Sequence, residues 1–579
     1  MSSDAHAPAA KPVDIGPVPL DYIPGLKQNA KFDVVAGFIL FLIALPLSLA
    51  IALASGAPAV AGVLAAMVGG MIGSMLGGSY VTINGPAAGL IVIVLGAVTE
   101  LGTVDGVFDP VQGFKYALAI GVAMGVIQIV LGVIKAGPMT NVFPFSVVEG
   151  MVAGIGVIIM AKQIHVVLGV KVTGSMFNVI ASIPSSFVNM VVPNAIIGGV
   201  AMAIMIFWPY LKAVAKIIPA PLAIMMVTIP MAIAFGLDSK QLVDVPSNFA
   251  DSFTFPDFSK IMDPISIKYI ITFVIVGSLE SLLTAAAIEK KDPWKRRNNM
   301  NREFWSKGVI NSTSSLIGGI PMIAEVVRSS TNVMVGARTR WSNFFHGFFM
   351  LVFVALLPAL LNMIPLAALA GMLVVIGFRL AHPNIFAHIA HTGKDEIVFM
   401  VGTVIGVVLV DLLVGVFFGM WLSMALNAIR AGSENRFKSA PLFLAVHTVF
   451  LLIIGYFIFL AHNELVAIVV MMVNVAFGIM GFKTVTDVKA AGDSVTVAFS
   501  GPAVYTSLIA VRAMLDKLPG GKKVVIDFSK AGLIDHTVRE KLNDFKDEYA
   551  RDTGGTVTVA GTQNHTATCH HELATLVRS

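Results

Sequence analysis

Charge is scarce in this chain. Asp, Glu, Lys and Arg make up 13% of its 579 residues, against about 25% in a soluble protein of ordinary composition. The shortage is most severe between Asp33 and about Leu422, where apolar runs of about 18 residues or more recur, the length that spans a bilayer as helix. These runs lack the two-residue alternation of a membrane barrel strand, which excludes that class. Cys569 is the single cysteine, so no intrachain disulfide can form. Residues 1–30 lack a short apolar core followed by a small-residue cleavage site and are expected to be a soluble tail rather than a signal peptide. Basic residues gather at span ends without interleaved aromatics, which argues against a nucleic-acid partner. No HExxH, GxSxG or Walker A pattern occurs, so an enzymatic reading has neither nucleophile nor metal anchor. His565 and Cys569-His570-His571 carry metal-ligating side chains but no second cysteine pair, and a solvated tail is expected there.

What the chain does have is a set of apolar segments at about 34–54, 57–77, 86–99, 116–135, 143–161, 193–211, 219–236, 266–288, 308–318, 322–335, 343–361, 364–380, 396–412 and 413–429. Two are short and preceded by helix breakers: Thr82-Ile-Asn-Gly-Pro86 before the third, Gly318-Gly-Ile-Pro321 before the tenth. Each is therefore third in a half of seven, and an odd number of spans per half inverts the second half. Paired Gly/Pro-interrupted segments in corresponding places point to a midplane site in an inverted-repeat transporter. A broken helix is tolerated at membrane depth only inside protein or beside a water-filled cavity. The expected fold is an α-helical polytopic membrane protein of seven-plus-seven inverted spans. Repeat one covers about 33–236 and repeat two about 266–430, behind a tail at 1–32.

Loop charge sets the expected orientation. Lys290, Lys291, Lys295, Arg296, Arg297, Arg302 and Lys307, then Arg338 and Arg340, then Lys212 and Lys216 fall on one side with both termini. The positive-inside bias makes that side cytoplasmic, in the plasma (inner) membrane. Glu100, Asp105, Asp109 and the acid-leaning stretch 238–263 fall on the other. A linker at 431–482 holds an extra apolar hairpin, 441–460 and 466–482. From about Lys483 to Ser579, strand-like and helix-like segments alternate, which reads as a small α/β domain.

Several residues could carry chemistry. A helix N-terminus has unpaired N–H groups and the positive end of the peptide dipole. Two facing each other make an anion site without a charged side chain. The candidates are Ala87 and Ala88 on the third span and Met322, Ile323 and Ala324 on the tenth. Arg328 adds a fixed cation suited to an oxyanion. It could also pair with Glu325 at i,i+3, and the two readings are compatible. In the eighth span, Glu280 and Thr284 share one helix face, and a carboxylate there can hold Na⁺ or a proton. The stripe Gly69, Gly73, Gly77 reads as close helix packing.

In order along the chain, Pro46, Asn84-Gly-Pro-Ala-Ala-Gly89, Gly277-Ser-Leu-Glu-Ser-Leu-Leu-Thr-Ala285, Gly318-Gly-Ile-Pro-Met-Ile-Ala-Glu-Val-Val-Arg-Ser-Ser-Thr-Asn332 and a terminal α/β module resemble the SulP family of inorganic anion transporters. The resemblance covers about 33–430 and 484–579. It implies a core bundle that moves against a gate bundle in an elevator-like shift, with the anion between the third and tenth half-helices. Glu280 matches the family's eighth-span acid, Thr284 the hydroxyl that helps bind Na⁺ in bicarbonate-transporting members, and Arg328 the cation of prestin-like members. Substrate-binding residues are thus Ala87, Ala88, Ile323, Ala324 and Arg328. The implied activity is secondary active transport of sulfate or bicarbonate, with Na⁺ or H⁺ as coupling ion and no other cofactor. The terminal module resembles a STAS domain (483–579), which implies a cytoplasmic protein partner and, with the family, a homodimer. Thr537 falls where related domains carry a phosphorylated residue, with Val538 in place of the usual Gly. Three alternatives stay open: a nucleobase or organic acid transporter on the same fold, a membrane sensor that does not transport, and a channel, which needs no coupling acid.

Overall fold

The computed structural model describes residues 16–137, 143–215, 217–431, 440–461, 463–482 and 484–578. Lys216, the start of the expected tail and residues 432–439 of the expected linker lie outside them. The first helix, α1 (Tyr22–Ala54), starts earlier than the apolar run does, because Asp21 caps it by accepting the Tyr22 N–H. The second half of the expected 1–32 tail is therefore largely helical. Arg340 holds that start in place: it donates to both Asp21 carboxylate oxygens at 2.6 and 2.8 Å and stacks over Tyr22.

The helices that follow are α2 (Ala59–Leu76), α3 (Ile91–Gly102), α4 (Pro110–Val133), α5 (Phe145–Val167), α6 (Val192–Phe207) and α7 (Ala220–Phe235). The second half repeats the pattern with α8 (Pro264–Lys291), α9 (Met300–Leu316), α10 (Val326–Met334), α11 (Trp341–Leu356), α12 (Leu366–Leu380), α13 (Lys394–Leu409) and α14 (Leu412–Ala431). Each half has its short, interrupted helix third. Eight of the described helices are long and apolar enough to cross a bilayer by themselves. The rest are shorter or, like α9, carry polar residues that the bundle buries.

Packing divides these helices into two bundles. In the first, α9 packs on α4 and α2, α11 on α1 and α2, and α3 and α8 on α4. In the second, α12 packs on α5 and α6, α13 on α5 and α14, and α7 on α6. The bundles meet where α1 touches α7 and α12, and where α3 touches α5. Beyond them α15 (Ala440–Phe459) and α16 (Glu464–Gly481) form a hairpin against α14, and α16 also reaches α8. Fully buried His447 on α15 bonds Asn474 on α16.

The C-terminal domain has a sheet in which β3 (Val485–Ala491) pairs antiparallel with β4 (Ser494–Ser500). Next, β5 (Lys523–Lys530) lies parallel between β4 and β7 (Thr556–Ala560). Helices α17 (Leu508–Leu515) and α18 (His536–Thr553) complete it, with a second sheet from β6 (Leu533–Ile534), β8 (His565–Ala567) and β9 (Leu576–Arg578). The region expected as a solvated tail thus contains a strand: His565 opens β8, and Cys569 Sγ lies 3.0 Å from the Thr392 carbonyl of the membrane domain.

This domain touches both bundles. Asp544 and Asp516 meet Lys290 (2.6 Å) and Arg297 (3.4 Å) beside α8, while the Tyr505 hydroxyl donates to the Met420 carbonyl of α14 at 3.3 Å. At the second contact Asp535 caps α18 by accepting the Val538 N–H and also accepts the Tyr505 N–H. Burial pushes its carboxyl up to about 7; those two N–H bonds oppose the shift, and Glu396 of α13 adds to it. A carboxyl raised above its ordinary 3.8 holds its proton more tightly in the packed domain. The stability it contributes is then complete at low pH and is lost as pH rises from about 4 towards 7. The unfolding midpoint of the C-terminal domain should fall between about pH 5 and about pH 8, and Asp535→Asn should remove most of that slope. An unchanged slope in the variant contradicts this assignment.

Candidate substrate site

Two interruptions far apart in sequence meet inside the first bundle. Asn84–Gly85 (β1) pairs antiparallel with Ile323–Ala324 (β2), Asn84 opposite Ala324 and Gly85 opposite Ile323. Each strand leads into a helix, so the ladder sets two helix starts beside each other. After β1, Pro86 and the extended Ala87 lead into a tight turn at Ala88–Leu90 and then α3. After β2, Glu325 stands at the N-cap of α10. The stripe of small residues on α2 lets β1 come close: a Cβ on Gly73 would lie 2.8 Å from the Asn84 side chain.

The tenth helix starts later than the sequence suggests. Gly318 (φ +99°) turns the chain out of α9 at a place where a Cβ would lie 2.7 Å from the Thr254 nitrogen. Past Pro321, the Met322 N–H donates to Asn311 Oδ1 at 2.8 Å, Ile323 and Ala324 enter the ladder, and the Glu325 N–H donates to the Ile83 carbonyl at 3.0 Å. The first-turn amides of α10 are therefore those of Val326, Val327 and Arg328. Ile323 and Ala324 flank the helix start rather than form it. On the α3 side the corresponding amides are those of Ala88 and Gly89, since the Leu90 N–H donates to the Ala87 carbonyl. Ala87, Ala88, Ile323 and Ala324 are all buried.

Arg328 is 1% exposed. Its Nη2 donates to the Pro86 carbonyl at 3.2 Å, linking the second helix start to the break before the first. Its Nε lies 3.0 Å from Glu325 Oε2, an ion pair at an angle that makes no hydrogen bond. The i,i+3 pairing expected from the sequence is present, and it leaves Nη1 without a partner among the described residues.

Glu280 of α8 reaches the same place from another side. A Cβ on Gly89 would lie 2.2 and 2.3 Å from its two carboxylate oxygens, so only glycine at 89 lets the acid approach the start of α3. The half-buried carboxylate accepts no hydrogen bond from the described residues, and Glu325 is the charged group that acts on it. Thr284 is buried one turn further along α8. Backbone amides and a guanidinium thus lie beside two carboxylates, which suits an anion together with a small cation or proton.

A polar scaffold that sequence reasoning missed holds these parts. Asn311 also donates to Gln128, which donates to Ser278 on α8, both at 3.0 Å. Lys307 Nζ lies 2.5 Å from Glu303 and donates to Asn84 of β1, and Glu303 accepts the Gly78 and Ser79 N–H groups at 2.7 and 3.2 Å. The signal was available. Glu303, Lys307 and Asn311 recur every four residues along α9, one polar stripe on a span-length helix. Thr537 lies elsewhere, in the first turn of α18, and is 4% exposed. In this arrangement packing keeps its hydroxyl away from the surface.

A sequence profile of the sulfate permease family matches residues 31–403, and the chain belongs to that family of membrane anion transporters; it is not an enzyme. YvdB of Bacillus subtilis, provisionally named as a sulfate transporter, is 25% identical over 421 residues, 71% of this chain and 76% of its own length. The bicarbonate transporter BicA of Picosynechococcus sp. is 27% identical over 410 residues, 70% of this chain and 71% of BicA. The solved structure of SLC26A9 matches with a TM-score of 0.63 at 14% identity, covering 93% of this chain and 85% of that one, which is a likeness of fold.

Proposed function

We propose that this chain is a secondary active transporter of a small inorganic oxyanion, sulfate or bicarbonate, coupled to Na⁺ or H⁺ at Glu280 and Thr284. The observation that carries this reading is the ladder between Asn84 and Ala324, which brings two helix N-termini together beside Arg328. Backbone amides and helix dipoles favour an anion without requiring a second fixed cation. The names of BicA and YvdB support both substrates.

Access is unequal on the two sides. Helix α3 packs on α5, and the turn before it on α5 and α12, whereas α10 leaves Val327 67% and Met334 84% exposed. With both termini cytoplasmic, this asymmetry favours access from the cytoplasmic side. Alternating access then requires the first bundle to slide against the second. The C-terminal domain, read as a STAS module, bridges the two and is placed to sense that movement. A homodimer fits the same reading.

Labelled sulfate and bicarbonate uptake into proteoliposomes, under imposed Na⁺ or H⁺ gradients, tests this. Wild type should accumulate one of the two anions when a gradient is applied. Glu280→Gln should lose the gradient dependence while still exchanging anion at equal concentrations. Gradient-driven accumulation that survives in Glu280→Gln would remove the coupling role.

A further inference from the structure

A chain of buried hydrogen bonds crosses the first bundle from the ladder to the helix that carries Glu280. The Met322 N–H, just ahead of β2, donates to Asn311 Oδ1 on α9 at 2.8 Å. Asn311 Nδ2 donates to Gln128 Oε1 on α4, and Gln128 Nε2 to Ser278 Oγ on α8, both at 3.0 Å. The direction of the chain is fixed from one end. A backbone N–H can only donate, so Asn311 turns its oxygen to Met322 and its NH2 to Gln128, and Gln128 then offers its own NH2 to Ser278. All of these groups are buried, and Gln128 is 0% exposed. The break before α10 requires a partner for the Met322 N–H, and Asn311 alone supplies it. The further bonds, to α4 and on to α8, are not needed for that. They end two residues before Glu280.

The adjoining face of α8 lies against the site. A Cβ on Gly277 would lie 3.8 Å from Ile323 of β2, 3.9 Å from Gln128 Nε2 and 4.0 Å from Leu90 in the turn that leads into α3. One turn further along, Glu280 reaches Gly89. Among the described residues, the bond from Gln128 to Ser278 is the only hydrogen bond that reaches α8 from another helix between Thr272 and Thr284. Apolar packing lets a helix slide, whereas sliding here would leave buried donor and acceptor unpaired.

We propose that Gln128 is a positioning residue that acts through Ser278 and α8. It holds the Glu280 carboxylate at the start of α3, so that a cation bound at Glu280 raises affinity for the anion between the helix starts. A carboxylate without its cation repels an anion at that place, a bound cation removes the repulsion, and the effect weakens as the separation grows. Without the bond α8 is free to draw back from the ladder, and the two ions bind independently. The inference rests on the reading of Glu280 as the coupling acid, and its test separates the two.

The KM for labelled sulfate and bicarbonate uptake into proteoliposomes is measured at limiting and at saturating levels of the driving cation, Na⁺ or H⁺. The variants are Gln128→Leu, Ser278→Ala, the Gln128→Leu/Ser278→Ala pair and Glu280→Gln, each checked for a single oligomeric species and its unfolding midpoint. In wild type the saturating cation should lower the anion KM about tenfold, within the range of coupled sites. Gln128→Leu and Ser278→Ala should each shrink that ratio to about twofold or less, and the pair should shrink it no further. The change should come from a lower KM at limiting cation, a gain in affinity that damage to the site does not produce. Should Gln128→Leu not accumulate, Gln128→Met serves in its place. A wild-type ratio in either single variant overturns the inference, as does a ratio that shrinks because KM rises at saturating cation. In both cases the coupling reading stands if Glu280→Gln abolishes the cation dependence. If wild type shows no cation effect on KM, or Glu280→Gln keeps it in full, the coupling reading falls and this inference with it.

Discussion

Arg328→Gln should weaken anion affinity about 10- to 150-fold, the range set by one charge-assisted hydrogen bond of about 1.5–3 kcal/mol. Two effects act in the same direction. The substitution removes the cation at the start of α10, and it leaves the Glu325 carboxylate, now 3.0 Å from Arg328 Nε, without its counter-charge. An unpaired carboxylate at a helix N-terminus competes with an incoming anion for the same dipole. Glu325→Gln/Arg328→Gln should therefore bind better than Arg328→Gln alone, although it carries one change more. KM values for uptake, with unfolding midpoints as a control on folding, check both. A double variant no better than the single would show that Glu325 does not compete.

Lys307→Met should be the most destabilising single change in the first bundle. The ion pair with Glu303 is shut away from solvent, at 1% and 0% exposure. Removing one partner of such a pair typically destabilises by about 3–5 kcal/mol, because the other charge stays buried. Glu303 keeps the Gly78 and Ser79 N–H groups, but β1 loses the side-chain bond at Asn84 that fixes its end of the ladder. Lys307→Met/Glu303→Gln should recover much of the stability, since the amide oxygen still accepts an N–H and no charge is left unpaired. Thermal unfolding in detergent reads this directly. A Lys307→Met midpoint equal to that of wild type would mean that the pair contributes nothing.

The breaks themselves were legible, because glycine and proline act locally. Thr82-Ile-Asn-Gly-Pro86 and Gly318-Gly-Ile-Pro321 each keep the chain out of helix ahead of a short span, and their equal places in the two halves showed the symmetry. The ladder was not legible, since the pairing of Asn84 with Ala324 is decided by how α2, α9 and α11 pack. For the same reason Pro321 misled. Proline favours the first turn of a helix, but Asn311 takes the next amide and keeps the chain extended to Glu325. The early start of α1 was hidden because hydropathy stops at Lys31 and Lys27, whereas a helix capped by Asp21 can carry lysines in its first turns. The contact of Gly89 with Glu280 joins segments that no local pattern connects. In the C-terminal domain β8 has three residues, too few to show an alternation.

The central claim is that the two helix starts hold an oxyanion between them, and Ala87→Asp tests it most directly. Ala87 stands at an extended N-cap position with no side-chain cap. An aspartate there can accept first-turn amides of the helix, which preserves or raises stability while placing a carboxylate where the anion belongs. Unfolding midpoints of wild type and Ala87→Asp are measured against rising sulfate and bicarbonate, with gluconate at matched ionic strength as reference. Wild type should rise with one of the two anions, by an amount equivalent to about 2.7 kcal/mol at a hundredfold excess over Kd, and Ala87→Asp should fold normally and show no rise. A wild-type midpoint that follows gluconate for both anions, or an equal rise in Ala87→Asp, would contradict the account.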